Sequence, residues 1–154
     1  MKIHYYTVSD TVTTLERAKV VDFLFQHLDQ FGDTKTAIMN SIDYALIPHA
    51  MAGGFILTAI EEDEIVGAVV MNKTGMKEYI PENILVYIAV HKDKRGEGIG
   101  KQLMKEAIKM AKGDIALHVE PDNPARLLYE RMDFTSKYLE MRFIRDKQPK
   151  KNTA

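Results

Sequence analysis

A chain of 154 residues, 45% hydrophobic and 28% charged, has the length for one domain with a proper core. A formal net charge of −1 gives no general attraction to nucleic acid or to an anionic membrane. The absence of cysteine excludes disulfides, thiolate metal sites and a cysteine nucleophile, and is compatible with a reducing compartment. The N-terminus has no apolar signal core and no apolar run approaches membrane-spanning length. The expectation is therefore a cytoplasmic soluble protein with neither nucleic acid nor membrane as partner.

Residues 2–8 alternate weakly through Ile3, Tyr5 and Tyr6 and predict a first strand. Over 13–31, Leu15, Ala18, Val21, Leu24, Leu28 and Phe31 recur at three- and four-residue spacing, which predicts an amphipathic helix ended by Gly32-Asp33. Residues 34–47 repeat the pattern more weakly until Pro48. The period then changes. Residues 54–60 and 65–72, joined by the acidic turn 61–64, predict an antiparallel hairpin, and 72–83 a polar loop. The apolar run 84–90 predicts a buried strand. It passes through the charged turn 91–94 into Arg95-Gly96-Glu97-Gly98-Ile99-Gly100-Lys101 and a helix over 98–112, which Gly113 ends. Residues 114–120 predict a short strand, parallel to 84–90 by the handedness of a strand–helix–strand unit. Asp122 reads as the N-cap of a further helix carrying Ala125, Leu128, Tyr129 and Met132. Residues 134–144 read as one or two closing strands, and 146–154 as a polar tail. With no linker and no internal repeat, 1–145 reads as a single domain: a mixed sheet with helices on its faces.

The glycine-rich turn between strand and helix suits phosphate, because the first N–H groups of a helix lack intrahelical partners and its dipole favours an anion. Two familiar phosphate loops fail on named positions. A P-loop would need glycine at Arg95 and a hydroxyl at Gln102; a dinucleotide fingerprint would need glycine at Lys101. What fits is Arg/Gln-x-x-Gly-x-Gly, filled by Arg95, Gly98 and Gly100. Downstream, Asp122-Asn123-Pro124-Ala125-Arg126-Leu127-Leu128-Tyr129-Glu130 follows Asn-x-x-Ala-x-x-Leu-Tyr-Glu, with the asparagine displaced by one place.

These motifs resemble the GNAT superfamily of N-acetyltransferases, closely over 65–143. The resemblance implies an α/β fold with a mostly antiparallel sheet of six to seven strands. Its central parallel strand–helix–strand unit is splayed at the cofactor. It implies acetyl-CoA as donor and a primary amine as acceptor, in direct transfer. It further implies that main-chain groups near Ile88, Ala89 and Val90 hold the pantetheine arm and thioester. The N–H groups of Arg95, Gly96, Glu97, Gly98, Ile99, Gly100 and Lys101 would hold the pyrophosphate, with Arg95 and Lys101 adding charge. Asn123 or Asp122 would contact the cofactor. Tyr129 is implied as general acid toward the leaving thiolate, a phenol with a reference pKa of about 10. No base is visible; His118, Glu120, Glu78, Glu82 and Tyr87 are the residues placed to be weighed. His4, His27, His49 and His91 have no metal-ligand spacing, so no metal is expected. Family dimers often form through the C-terminal strands, here 138–143, although an edge strand in its own sheet reads the same. A non-catalytic acyl-CoA-binding domain of the same fold is the alternative.

Overall fold

The computed structural model describes residues 1–146, so the tail from 147 to 154 lies outside the described residues. Five strands form one sheet in sequence order: β1 (Lys2–Thr7), β2 (Gly54–Glu61), β3 (Glu64–Lys73), β4 (Asn83–Val90) and β5 (Ile115–Leu117). Neighbours are antiparallel except β4 and β5, which are parallel. Helices α1 (Thr14–His27) and α2 (Lys35–Ala45) cover one face; α3 (Ile99–Met110) and α4 (Ala125–Arg131) cover the other. Each strand's period-two alternation feeds two cores. Leu24, Ile38 and Ile42 pack on Ile56, Ala68 and Val70 on the first face. Leu103, Met104 and Ala107 pack on Leu57, Val69 and Met71 on the second.

The expected mixed sheet and its helical faces are present, but among the described residues the sheet has five strands where six to seven were expected. The alternation over 134–144 forms no strand among the described residues. Leu139, Met141 and Phe143 are 89%, 90% and 81% exposed. A strand needs a neighbouring edge with which to pair, and the edge strand β5 is only three residues long.

Helix α1 begins in a capping box. The Thr13 hydroxyl accepts from the Glu16 N–H at 3.1 Å and the Thr13 N–H donates to the Glu16 carboxylate at 3.2 Å, a device worth about 1 kcal/mol. It stops at His27, not at the expected Phe31. Asp29 takes a left-handed φ of 54°, and a short 3-10 turn, Asp29–Phe31, follows. That break turns the Asp29 carboxylate toward the glycine loop. Arg95 answers it: its guanidinium donates to Asp29 at 3.0 Å, to the His27 carbonyl at 2.8 Å and to the Val90 carbonyl at 3.2 Å. A cation thus sits on the carbonyl end of α1, where the helix dipole favours it. Beside it the His27 ring lies 4.3 Å from that of His91 and 4.7 Å from that of Phe23, and its Nδ1 accepts from the Lys92 N–H. The loop after β4 is therefore anchored from the α1 side.

On the opposite face α3 comes close to the sheet at Gly67, beside a bulge where β2 and β3 shift register between Ala59 and Ile60. A Cβ at Gly67 would stand 2.6 Å from Leu103 Cδ1 and 3.0 Å from Ile99 Cγ2. Leu103 is fully buried and has nowhere to move. Gly67→Ala is expected to cost about 1–3 kcal/mol by overpacking, read as a lower urea midpoint at unchanged m-value.

Burial first, and then the nearby His91, Arg95 and Lys92 against the opposing Asp29, push the pKa of His27 below its ordinary value. The unfolded chain takes up this proton near pH 6.5; the folded protein takes it up only at lower pH. The unfolded state therefore binds more protons in that window. Stability is retained above about pH 6.5 and falls as pH drops below it. Melting temperatures at about pH 7.5, 6 and 5 should decline in that order, and less steeply in His27→Gln. Equal slopes in the two proteins would remove His27 from this account.

Candidate active site

The site is built where β4 loses a partner. On one side β4 pairs with β3 along its length, with a register shift. Val70 faces Tyr87 and Met71 faces Leu85, which leaves Val86 as the extra residue of a bulge. On the other side β4 pairs with β5 only from Asn83 to Leu85. Beyond Leu85, β4 has no strand on that side among the described residues. The parallel pair is splayed.

The main-chain direction follows from one bond. The His91 N–H donates to the Val66 carbonyl on β3 at 2.8 Å. Alternation along the strand then turns the polar groups of Ala89 to β3 and those of Ile88 and Val90 to the open edge. The three residues singled out from the sequence thus divide: Ile88 and Val90 present main chain to the splay, while Ala89 belongs to the ladder and, by its side chain, to the α1/α2 core. One open-edge group is used already, because the Val90 carbonyl accepts from Arg95.

The glycine loop continues from that edge. Gly96 and Gly98 have φ of 82° and 86°, and a Cβ at either would meet nothing within 4 Å. They are glycines because of the left-handed backbone, and the space in front of them is open. Gly98 is the N-cap of α3 and supplies no side-chain cap. The N–H groups of Ile99, Gly100 and Lys101 consequently lie free at the positive end of the helix dipole. The Ile99 side chain is buried in the α3 core, so only its main chain is available. Lys94 pairs with Glu61 at 3.2 Å and Arg95 with Asp29, whereas Lys92 and Lys101 have no ion-pair partner among the described residues. Lys101, not the Arg95 guanidinium, is the free positive charge at the start of α3. Glu97 is exposed in the same turn.

Gly100 joins the loop to α4. A Cβ there would stand 3.3 Å from Leu128 Cδ2 and 3.5 Å from Val90 Cγ2. The residue after Leu128 is Tyr129, 8% exposed in the α3-side core, with its ring 6.1 Å from that of Phe134. Burial alone pushes its pKa up to about 12, and its hydroxyl has no hydrogen-bond partner among the described residues. The turn after α4 places Asp133 at a left-handed φ of 68°, as the Asp133-Phe134 pair suggests in sequence. The N-cap of α4 is Pro124, which supplies no side-chain cap, and just before it the Asn123 Oδ1 accepts from the Ala125 N–H at 2.9 Å; Asp122, expected as the N-cap, is exposed and makes no such bond.

None of the residues weighed as a base stands ready as one. His118 and Glu120 are exposed beyond the end of β5. Glu78 lies exposed in a turn at φ 69°, and the Glu82 carboxylate packs over Gly113. Tyr87, nearly buried, donates its hydroxyl to Asp33 at 2.5 Å, and burial together with that bond holds its pKa well above the usual phenol range. The pairs Tyr87–Asp33, Arg95–Asp29 and His27–His91 were invisible in sequence. Their members are 54 to 66 residues apart, and no local pattern links them.

Among the described residues no helix is long and apolar enough to cross a membrane. No curated protein matches the sequence. Solved structures share the fold over nearly the whole chain. A ribosomal-protein-alanine N-acetyltransferase from Brucella melitensis biovar Abortus 2308 aligns with a TM-score of 0.61 at 19% identity, over 96% of this chain and 100% of that one. The aminoglycoside antibiotic 6'-N-acetyltransferase AAC(6')-IG from Acinetobacter haemolyticus aligns with a TM-score of 0.67 at 13% identity, again over 96% and 100%. A transcriptional regulator from Bacillus halodurans C-125 aligns with a TM-score of 0.60 at 20% identity, over 92% and 100%. At such identities the likeness is one of fold. The family model for an acetyltransferase (GNAT) domain matches residues 52–136, more than half of the sequence, and spans the hairpin, the splayed strand, the glycine loop and the Tyr129 helix. The chain belongs to the GNAT acetyltransferase family.

Proposed function

We propose that the protein is an N-acetyltransferase, one domain over residues 1–145, that moves an acetyl group from acetyl-CoA to a primary amine by direct transfer in a ternary complex. The observation that carries this reading is the open edge of β4 running into the capless N-terminus of α3. One continuous backbone surface offers strand-like pairing to an amide-bearing arm and, at its end, free N–H groups to phosphate. Main-chain groups of Ile88 and Val90 hold the pantetheine and thioester. The N–H groups from Arg95 to Lys101 hold the pyrophosphate, with charge from Lys101. Ala89 and the Arg95 side chain act by holding strand and loop in place. The Asn123 Oδ1 is taken by the Ala125 N–H, which leaves its amide N–H₂ to donate to the cofactor.

In the transfer the amine nitrogen forms the new C–N bond, the C–S bond breaks and the sulfur leaves as a thiol. A strand N–H at the thioester carbonyl stabilises the negative charge that develops there. Tyr129 serves the sulfur. A phenol at about 12 is a weaker acid than a free thiol near 8.5, so handing over its proton to a solvated thiolate would be uphill. A thiolate desolvated beside that phenol would be more basic than a free one, and the hydroxyl has no competing partner among the described residues. Tyr129 therefore acts first as a hydrogen-bond donor to the charge growing on sulfur, and its proton passes only as sulfur leaves; the proton that the amine nitrogen sheds on forming the C–N bond goes to water, and water returns one to the phenolate.

The acceptor is a small molecule or peptide. The fold-sharing enzymes act, by their names, on ribosomal-protein alanine and on aminoglycosides, and identities of 13–19% transfer neither acceptor to this chain. The apolar, exposed Leu139, Met141 and Phe143 support a homodimer contact. Location in the cytoplasm, where acetyl-CoA is available, completes the reading. A non-catalytic acyl-CoA-binding domain would keep the loop but has no use for the unpartnered Tyr129 hydroxyl.

Calorimetric titration with acetyl-CoA and thiol release over an amine panel test the proposal together. Binding with amine-dependent thiol release is expected; binding without release would favour the non-catalytic reading, and no binding would end both. In Tyr129→Phe the turnover number should fall about a hundredfold with the acetyl-CoA dissociation constant within about twofold of wild type. Unchanged turnover with chemistry rate-limiting would remove Tyr129 from the reaction.

A further inference from the structure

The first 47 residues carry six acidic side chains, and five are answered within the protein. Asp22 pairs with Lys35 at 3.1 Å, Asp29 with Arg95 at 3.0 Å and Asp43 with Arg17 at 2.6 Å. Glu16 closes the α1 capping box, and Asp10 accepts from the Thr7 N–H at 2.7 Å. Asp33 differs. It lies exposed between α1 and α2, has no cation and no backbone N–H among the described residues, and is held only by the Tyr87 hydroxyl at 2.5 Å. A carboxylate oriented by a buried phenol keeps most of its acceptor sites and its whole charge for something outside the chain.

Its place gives that charge a use. Tyr87 immediately precedes Ile88 on β4, at the bulge where the open edge begins. Tyr87 lies in the α1/α2 core and Tyr129 in the α3 core, so the two tyrosines stand on opposite faces of the splayed strand. If Tyr129 attends the sulfur, the side left to the acceptor is the one that carries Asp33, bound to the hydroxyl of the tyrosine that precedes Ile88 on β4. The reacting nitrogen must be neutral to attack a thioester, so a carboxylate that gripped it as an ammonium would oppose the reaction. A carboxylate at a short remove would instead grip a second, protonated amino group of the same molecule.

We infer that Asp33, oriented by Tyr87, is the cation-binding subsite of the acceptor, and that the acceptor is an amine bearing a second ammonium a few carbon atoms from the reacting nitrogen. The inference rests on the acetyltransferase reading above for its geometry, and is testable apart from it. Calorimetry with 1,4-diaminobutane and with butylamine, with and without coenzyme A, compares two amines that differ in the second charge. Wild type should bind the diamine about tenfold more tightly than the monoamine, and Asp33→Asn, which keeps an oxygen for Tyr87, should abolish that preference while leaving coenzyme A affinity unchanged. Equal affinity for the two amines in wild type, or a preference that survives Asp33→Asn, would overturn the inference. Failure of coenzyme A to bind would instead sink the donor reading, and the amine comparison without it would still decide the role of Asp33.

Discussion

The structure depends on an incomplete pairing. A strand at the centre of a sheet must satisfy its N–H and C=O groups, and β4 does so on one side along its whole length. On the other side it does so for three residues and then stops. The bulge at Val86 is part of the cause: an extra residue bends the strand and sharpens its twist, which swings the C-terminal half of β4 away from β5. What is left is an edge in the interior of a fold, a template for hydrogen bonding that no other strand of the described chain fills. A donor with an amide-bearing arm has the chemistry to fill it.

An unpaired edge is useful only if it is rigid, and the surrounding contacts hold it from both faces. From the α1 side Arg95 makes three hydrogen bonds, two of them to carbonyls. Its ion pair with Asp29 is about half exposed on each side, so the pair alone is worth at most about 1 kcal/mol. The carbonyl contacts weigh more, since hydrogen bonds to a charged group contribute about 1.5–3 kcal/mol each. From the α3 side Gly67 lets the helix approach the sheet, and Gly100 lets its first turn meet Leu128 and Val90. These glycines do different work from Gly96 and Gly98, which have open space around them and are required by backbone conformation. One short motif thus divides its residues between packing, tethering and an exposed donor surface.

What was legible in the sequence was local. The glycine loop and the helix of Tyr129 are contiguous runs, and the strand, the loop and both helices appear where periodicity and the motifs put them. Misreadings fell where a partner decides the outcome. The apolar spacing that carries Leu28 and Phe31 continues past His27, but Asp29 breaks the helix and is answered by a residue 66 positions away. The alternation at 134–144 is sound as a pattern but forms no strand among the described residues, where Leu139, Met141 and Phe143 stay exposed. Asp122 and Asn123 are equally good caps by residue type, and the proline that follows leaves the Ala125 N–H within reach of Asn123. The motif singles out Arg95 for a charge toward phosphate, and its guanidinium faces the protein instead, because the acceptors it meets come from the end of α1 and from β4.

The two tyrosines flanking β4 show why residue type alone could not assign the chemistry. Both are almost fully buried, and both have their phenols held above the ordinary range by desolvation. Tyr87 has a carboxylate in reach and donates to it; its proton is committed, and it can neither accept one from an amine nor deliver one to sulfur without giving up Asp33. Tyr129 has no such partner among the described residues, so its hydroxyl is uncommitted. An uncommitted phenol can donate to a negative charge placed beside it, whereas the Tyr87 phenol already donates to Asp33. In the proposed transfer the same side chain, on opposite faces of one strand, would serve opposite ends: on one face a donor for an anion, on the other a support for an anion that takes a cation.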